Sequence, residues 1–232
     1  KTKMSSFKII DIGLKKYLEV LQLQEELFNK NIDSKLNSLQ TENNLILCEH
    51  EPVFTLGKSG KRENILVNDE EMKAEFYHVN RGGDVTFHGP EQLVVYPILD
   101  LDSLHMGLAH YIFLLEETII KTVKEYGLRG ERIEGAAGIW IRDPDRKIGA
   151  IGVKASRNVT MHGIAVNVNT DLSYFDKIRA CGLEGKGTTS LEKELGRKVS
   201  MEDYKKRFVE SFQKAFTLPL GTNTVFTPSQ TS

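Results

Sequence analysis

The residues best suited to chemistry in this sequence are a cysteine and a lysine. Cys181 lies in the glycine-rich segment CGLEGKG, where the backbone can approach a ligand closely. Lys147 opens the strand-like segment KIGAIGV. A free thiol titrates near ~8.5, so only about 3% is thiolate at neutral pH, and a nearby ammonium raises that fraction. A thiolate beside a lysine is the arrangement that an enzyme acting on acyl thioesters needs.

Spacing alone leaves alternatives open for both residues. Lys154 and Arg157 are equally available cations near Lys147, and a solvated surface side chain is the simpler interpretation for each of them. Cys181 could be a small buried residue, which is the commoner role of a lone cysteine. Its polar, glycine-rich surroundings favour exposure and function instead. Cys48, inside the apolar run LILC, is predicted to be an unreactive core residue.

A second group of candidates lies in the segment RGGDVTFHGPEQ, residues 81–92. Arg81 is either a strand-end cation or a residue that lines a ligand channel with its stem and holds a polar group with its guanidinium. His88 and His162 each precede a glycine beside a strand-like run. Each either ties a turn by hydrogen bonds or orients a carbonyl. The histidines and cysteines lack zinc-site spacing, so no metal site is predicted.

Strand-like runs and amphipathic helical segments alternate along the chain, and these elements must position the candidates. Hydrophobic spacing predicts helices over 14–30, 108–126 and 201–216, with short helices at 66–72 and 189–196. Strands are predicted over 7–12, 44–48, 76–80, 85–87, 92–98, 138–142, 147–155 and 163–169.

Turn and capping signals join several of these elements. His88-Gly89-Pro90 predicts a turn between two strands of a meander, and the segment DPDR predicts a hairpin. Thr189 with Glu192, and Ser200 with Asp203, have the spacing of helix-capping pairs. Because several strand pairs have hairpin-length connections, we expect one α/β (α+β) domain over 5–216, with a mixed, largely antiparallel sheet and flanking helices. The polar tail 217–232 is expected to be mobile.

Composition excludes several classes of function. The 232 residues are 40% hydrophobic and 27% charged, with a net charge of −1 and a pI near 6.7. This balance gives no global field for nucleic acid or an anionic membrane, and no apolar run is long enough for a membrane span. Two distant cysteines give no disulfide framework, so a cytoplasmic location is predicted.

The long motifs together resemble the octanoyltransferases of lipoate biosynthesis, also called lipoyl(octanoyl) transferases or the lipoate-protein ligase B family. The resemblance runs from about Phe7 to Phe216. It rests on motifs in the right order, with EHEPVFTLGKSG as a further match: RGGDVTFHGPEQLVVYPILDL, then GIWI followed by RKIGAIGVKASRNVTMHGIAVNVNTDLSYFDKIRACGLEG.

The resemblance implies a fold like that of biotin and lipoate protein ligases, and octanoyl transfer from acyl carrier protein. The implied acceptors are lipoyl domains of 2-oxoacid dehydrogenases and the glycine-cleavage H protein, and no cofactor is implied. The family's nucleophile falls on Cys181 and its dyad lysine on Lys147. Implied substrate contacts are Arg81, Gly82, Gly83, Asp84, Val85, Thr86, Phe87, His88, Ala150, Ile151, Gly152, Gly163, Ile164 and Ala165.

Three other functions stay open at this point. They are an ATP-dependent lipoate ligase, an amidotransferase that moves octanoyl between two lipoyl-type proteins, and a non-catalytic acyl-binding module. One departure from the family pattern is Glu91, where Gly-Pro-Gly-Gln is more usual, so the turn there is expected to differ. A docking face for an acidic carrier protein is a further expectation, opposed by the interspersed Asp143 and Asp145. Its cations are Arg142, Arg146, Lys147, Lys154 and Arg157.

Overall fold

Two β-sheets with flanking helices make up the protein, in a computed structural model that describes residues 7–179 and 185–217. The strands are β1 (Lys8–Lys15), β2 (Asn44–His50), β3 (Val53–Leu56), β4 (Glu75–His78), β5 (Val85–His88), β6 (Gln92–Ile98), β7 (Glu131–Ile133), β8 (Ala136–Ile141), β9 (Arg146–Ser156), β10 (Val159–Asn167) and β11 (Gly187–Thr188). The α-helices are α1 (Tyr17–Leu36), α2 (Asp69–Met72), α3 (Leu108–Lys124), α4 (Leu191–Leu195) and α5 (Met201–Thr217).

The large sheet has eight strands and the small sheet has three. The large sheet runs in the order β1-β2-β6-β10-β9-β8-β7, with β11 paired to β9, and the small sheet runs β4-β3-β5. The pairs β1–β2, β3–β4 and β9–β11 are parallel, and the remaining pairs are antiparallel. The predicted α/β (α+β) class with a mixed, largely antiparallel sheet is therefore confirmed.

Helices cover both faces of the large sheet. Along β6, Leu93 and Val95 pack with α3 and α5, whereas Val94 and Tyr96 pack with α1. This alternation is that of a central strand buried on both faces. A third cluster, which includes Phe54, packs on the small sheet. No helix within 7–179 and 185–217 is long and apolar enough to cross a bilayer.

Helix α1 begins and ends later than the predicted 14–30. Leu14 still belongs to β1, which pairs in parallel with β2. The helix then continues past residue 30, where the buried Asn31 side chain forms hydrogen bonds with the backbone of the chain that returns after the helix. Its side-chain amide donates to the Glu42 carbonyl oxygen at 2.8 Å and its side-chain oxygen accepts from the Glu42 N–H at 2.9 Å.

The predicted meander of 85–87 with 92–98 is wrong, although both segments are strands. Strand β5 pairs with β3 in the small sheet, whereas β6 pairs with β2 and β10 in the large one. All seven residues of β6 are buried, so both of its edges must be paired inside the sheet. The turn between His88 and Gln92 therefore carries the chain from one sheet to the other.

The capping prediction is wrong for one helix and confirmed for another. Ser190, not Thr189, caps α4, because its side chain accepts the Lys193 N–H at 3.1 Å. The Thr189 hydroxyl instead donates to Glu194 at 2.5 Å. For α5, the Ser200 hydroxyl accepts the Asp203 N–H at 3.3 Å, as the spacing predicts.

Candidate active site

A cavity of about 440 Å³ lies where the large sheet meets the small sheet. Its walls come from β6, β9 and β10 of the large sheet, and from β5 with the loop 81–84 of the small one. Its volume is within the usual range for small-molecule sites. The loop is held against the large sheet by the Gly82 N–H, which donates to the Val153 carbonyl oxygen at 2.9 Å.

Most of the residues implied as substrate contacts meet around this cavity. Those that line it are Arg81, Gly82, Gly83, Asp84, Val85, Thr86, His88, Ala150, Ile151, Gly152, Gly163, Ile164 and Ala165, together with Lys147 and His162. Phe87 is placed elsewhere, because its ring stacks on Tyr174 with centroids 4.3 Å apart, in the cluster on the small sheet.

Glycines in β9 and β10 are required by close backbone approach. A Cβ at Gly152 would lie 3.1 Å from the Gly82 carbonyl oxygen and 3.2 Å from the Arg81 stem. A Cβ at Gly163 would collide with the Val95 carbonyl oxygen. Any side chain at these positions would move β6 or the 81–84 loop and change the cavity.

Lys147 is directed by a local irregularity of β9. Ile139 pairs with Gly149 and Trp140 pairs with Lys147, so the register shifts at Ile148. Such bulges redirect side chains. The Lys147 ammonium lies 4.7 Å from the centroid of the buried Trp140 ring, a cation–π contact. The Trp140 ring is itself fixed, because its Nε1–H donates to the Ala136 carbonyl oxygen at 2.9 Å.

Arg81 is a buried cation held by neutral oxygens. Its guanidinium donates to the Thr55 carbonyl oxygen at 2.8 Å, to the Thr55 hydroxyl at 2.9 Å and to the Gly82 carbonyl oxygen at 2.9 Å. Burial lowers the pKa of Arg81, but a guanidinium keeps its charge in proteins. Arg81 thus fixes the 81–84 loop and gives the cavity a permanent positive wall.

A chain of amides fixes the tautomer of His88. The Asn167 side chain donates to the Thr189 carbonyl oxygen at 3.0 Å, which turns its own oxygen toward the Gln92 amide N–H at 3.0 Å. The Gln92 side-chain oxygen then accepts from His88 Nδ1 at 2.8 Å. Burial lowers the pKa of His88 to about 3, so the ring is neutral at pH 7. Its Nε2 therefore carries a lone pair that can accept a hydrogen bond.

A second fixed pair lies near His88. His50 Nδ1 donates to the Lys15 carbonyl oxygen at 3.1 Å, and His50 Nε2 accepts from the Tyr96 hydroxyl at 2.8 Å. Burial lowers the pKa of His50 to about 4. The ring of Tyr17 stacks nearly parallel to that of His88, at 6.3 Å, and burial raises the pKa of Tyr17 to about 12. This wall is polar but uncharged at neutral pH.

His162 occupies a left-handed conformation, with φ of 58°, on the cavity side of β10. Its backbone N–H donates to the Gln24 side-chain oxygen at 2.9 Å, across to α1. Burial, followed by the charges of Arg81 and Lys154, lowers the pKa of His162 to about 3. It too is neutral at pH 7.

Cys181 lies outside the described residues. Residues on either side of it in sequence do lie at the site, because Phe175 and Thr188 line the cavity and Thr188 pairs with Lys147. Cys48 is fully buried in the core, as predicted, and burial raises the pKa of its thiol.

Sequence reasoning missed several wall residues. Tyr17, Gln92, Tyr96 and Asn167 line the cavity. The alternation of Gln92, Val94 and Tyr96 along β6 was a usable signal, because all three side chains point to one face of a strand. Within 7–179 and 185–217, His, Cys, Asp and Glu side chains form no cluster able to hold a metal ion.

Comparison with known proteins identifies the family. A sequence model of the lipoyl protein ligase A/B catalytic domain matches residues 16–213. An octanoyltransferase from Parabacteroides distasonis is 48% identical over 221 residues, which cover 92% of this chain and 100% of that relative. One from Christiangramia forsetii is 45% identical over 226 residues, covering 92% and 97%. This chain belongs to the octanoyltransferase family.

Solved structures agree with this family at the level of the fold. A bipartite lipoate protein ligase from Thermoplasma acidophilum gives a TM-score of 0.68 at 13% identity, covering 95% of this chain and 87% of that one. Lipoate-protein ligase A bound with ATP gives 0.64 at 13% identity, covering 96% and 90%. A biotin protein ligase from Aquifex aeolicus gives 0.54 at 11% identity, covering 90% and 70%. The predicted likeness to biotin and lipoate protein ligases is therefore confirmed, and the chain is an acyltransferase of protein lipoylation.

Proposed function

We propose that this octanoyltransferase moves an octanoyl group from acyl carrier protein to a lysine of a lipoyl domain, through a thioester on Cys181. The acceptors are lipoyl domains of 2-oxoacid dehydrogenases and the glycine-cleavage H protein. The observation that carries the proposal is the cavity lined by Lys147, because β11, which follows Cys181 closely in sequence, pairs directly with Lys147.

In the first half-reaction, the Cys181 thiolate attacks the carbonyl carbon of the donor thioester. A new C–S bond forms, the bond to the carrier's sulfur breaks, and the departing thiolate takes a proton from the Lys147 ammonium. Exchange of one thioester for another is nearly balanced, so this step is reversible. Lys147 is left neutral.

In the second half-reaction, the neutral amine of the acceptor lysine attacks the enzyme thioester. A C–N bond forms, the Cys181 thiolate leaves, and the proton lost by the amine passes to Lys147. The ammonium–thiolate pair is thereby restored. Amide formation from a thioester is downhill, which gives the overall transfer its direction without ATP.

The cavity supplies binding energy for the acyl chain. Apolar wall residues such as Val94, Ile112 and Ile151 face it beside small glycine and alanine residues. Burying about six methylenes at ~0.8 kcal/mol each stabilises the complex by roughly 5 kcal/mol. That amount is enough for the depth of the cavity to select chain length.

The test is the intact mass of the full chain after incubation with octanoyl-carrier protein and no ATP, with the adduct mapped by peptide. We expect one octanoyl group on Cys181, discharged when an unmodified lipoyl domain is added. The Cys181→Ala variant is the matched control and should take no adduct and transfer nothing. Near-normal turnover by that variant would overturn the covalent scheme.

The other candidate functions give different results in the same experiment. Acylation of the lipoyl domain that appears only with ATP indicates a ligase. A reaction that needs octanoylated H protein as the donor indicates an amidotransferase. Octanoate binding with no adduct and no transfer indicates a binding module. We also propose the cytoplasm as its location, because the nucleophilic thiol must stay reduced.

A further inference from the structure

An open groove of about 690 Å³ adjoins the cavity and carries positive charge. We call it the cationic groove. Arg179, Lys186 and Lys193 line it, opposed by the single carboxylate of Asp176 among its described lining residues. Arg179 and Lys193 are exposed and Lys186 is partly buried.

The charge of these three cations is available in the part of the chain that the structure describes. Within residues 7–179 and 185–217, no carboxylate lies in salt-bridge contact with any of them. The docking face expected from sequence differs in this respect. Arg142 pairs with Asp145 at 2.6 Å and Arg146 pairs with Glu194 at 2.5 Å. Two of the five cations of that face are thus neutralised, whereas all three cations of the groove lack a carboxylate partner among the described residues.

The groove and the cavity share part of one wall. Phe175 and Thr188 line both of them. The Lys186 ammonium also lies 5.7 Å from the centroid of the Trp140 ring, the ring that Lys147 contacts at 4.7 Å. A ligand that extends out of the cavity past Lys147 would therefore enter the groove.

We propose that the cationic groove binds the phosphate of the donor's phosphopantetheine arm. This inference rests on the proposed function, in which the donor is an acyl thioester of that arm. The donor has an apolar chain, a thioester, a polar amide arm and then a phosphate. The molecule offers an apolar cavity, then Lys147, then three cations that form no ion pair within the described residues. Arginine and lysine are the side chains that bind phosphate through charge-assisted hydrogen bonds.

The experiment measures binding rather than transfer, so that it stands apart from the test of the proposed function. Calorimetry gives the Kd of 4′-phosphopantetheine and of pantetheine, which lacks the phosphate. The test variant is Arg179→Gln with Lys193→Gln. The matched control is Lys124→Gln with Lys206→Gln, which removes two exposed lysines that have no ion pair in the described residues.

We expect the phosphate to tighten binding about tenfold in the unaltered protein, and the test variant to lose most of that preference. The control variant should keep it. Equal affinity for the two compounds, or an equal loss in test and control variants, would overturn the phosphate site. So would a test variant that weakens binding of octanoyl-carrier protein but not of 4′-phosphopantetheine, because the groove would then contact the carrier's acidic surface.

The proposed function is judged separately by transfer of octanoyl from octanoyl-carrier protein to an unmodified lipoyl domain. If the unaltered protein transfers nothing, the function fails. The phosphate site would still stand if 4′-phosphopantetheine bound more tightly than pantetheine through Arg179 and Lys193.

Discussion

Lys147 differs from the neighbouring cations of the chain in what its side chain contacts. Lys147 lines the cavity and lies over Trp140, whereas the Lys154 ammonium lies over Phe28, 5.0 Å from its centroid. Arg157 is exposed in the turn after β9. Sequence spacing could not separate these residues, because the bulge that redirects Lys147 depends on the pairing of β8 with β9.

Replacing Lys147 tests its role in proton transfer. We expect Lys147→Ala to lower kcat by about 10²- to 10⁴-fold, the usual contribution of a general acid or base. Lys154→Ala removes a cation of the same strand and should change kcat by less than about twofold. Steady-state kinetics with octanoyl-carrier protein checks both. Equal losses in the two variants would show that charge on β9 matters and not the position of Lys147.

Trp140 is expected to act as a positioning residue. Trp140→Phe weakens the cation–π contact, worth about 1–2 kcal/mol when desolvated, so we expect kcat to fall about tenfold with KM little changed. Trp140→Tyr should restore part of the loss. Kinetics and thermal unfolding are measured together, because Trp140 is a core residue. If kcat and KM both fell in proportion to Tm across these variants, the role of Trp140 would be purely structural.

The polar network around His88 lies beyond sequence prediction. His88 itself is visible beside a glycine, but its partners Gln92 and Asn167 come from two strands of the other sheet. The sequence left two interpretations of His88 open: a side chain that stabilises a turn by hydrogen bonds, or a donor that orients a carbonyl. The structure shows a histidine that donates to Gln92 and keeps an acceptor nitrogen.

At the scale of elements, the turn between the two sheets is the clearest departure from expectation. Glu91 adopts φ of 58°, the left-handed region that a glycine enters easily. Its backbone is held there by neighbours. The Glu91 N–H donates to a Glu49 oxygen at 2.6 Å, and its carbonyl oxygen accepts from the Asn169 N–H at 3.0 Å. These two hydrogen bonds compensate the backbone strain at Glu91.

Glu91→Gly should therefore stabilise the protein. A non-glycine residue in this region costs roughly 1–2 kcal/mol, of which glycine's extra freedom in the unfolded chain cancels a part. We expect a net gain of about 0.5–1 kcal/mol and a Tm higher by about 2 °C. Differential scanning calorimetry measures it. Lys198→Gln is the control, because it removes only the exposed Lys198–Glu91 ion pair. A lower Tm for Glu91→Gly would contradict the inference that the Glu91 backbone is strained.

Whether a segment forms a helix or a strand was predictable where the hydrophobic periodicity was strong. Which strands pair with each other was not predictable. The stripe of Tyr204, Phe208, Phe212 and Phe216 marks α5 correctly, and all four are buried. The assignment of β5 and β6 to different sheets depends on which partners bury β6, and those partners are distant in sequence. The turn after β5 resembles a hairpin turn in sequence, because local residues determine how the chain bends. They do not determine which strands the two flanking segments pair with.

At the scale of the whole molecule, buried histidines couple stability to pH, and three of them have strongly lowered pKa values. Burial lowers the pKa values of His50, His88 and His162 to about 4, 3 and 3, below the usual 6.5. The unfolded chain therefore binds more protons below pH 6.5. Their contribution is fully present above pH 6.5 and is lost as the pH falls toward those lowered values.

We expect the free energy of unfolding to fall by about 2–4 kcal/mol between pH 7 and pH 5.5, since each such histidine contributes up to about 1.4 kcal/mol per pH unit. Urea titrations at the two pH values measure the change. His50→Gln should lower stability at pH 7 yet reduce the fall between the two values by about a third. An unchanged fall would show that His50 is not part of the coupling.

The cavity has a consequence for the small sheet that follows from its position between the two sheets. The 81–84 loop contacts the large sheet through the Gly82–Val153 hydrogen bond, and the chain itself crosses between the sheets after His50 and again between His88 and Gln92. An acyl chain bound in the cavity would contact both sheets and so oppose their separation. Loading the enzyme should therefore slow amide hydrogen exchange in β3 and β5, while the helices α3 and α5 exchange as before. The bound acyl chain would then serve as part of the hydrophobic interior that joins the two sheets.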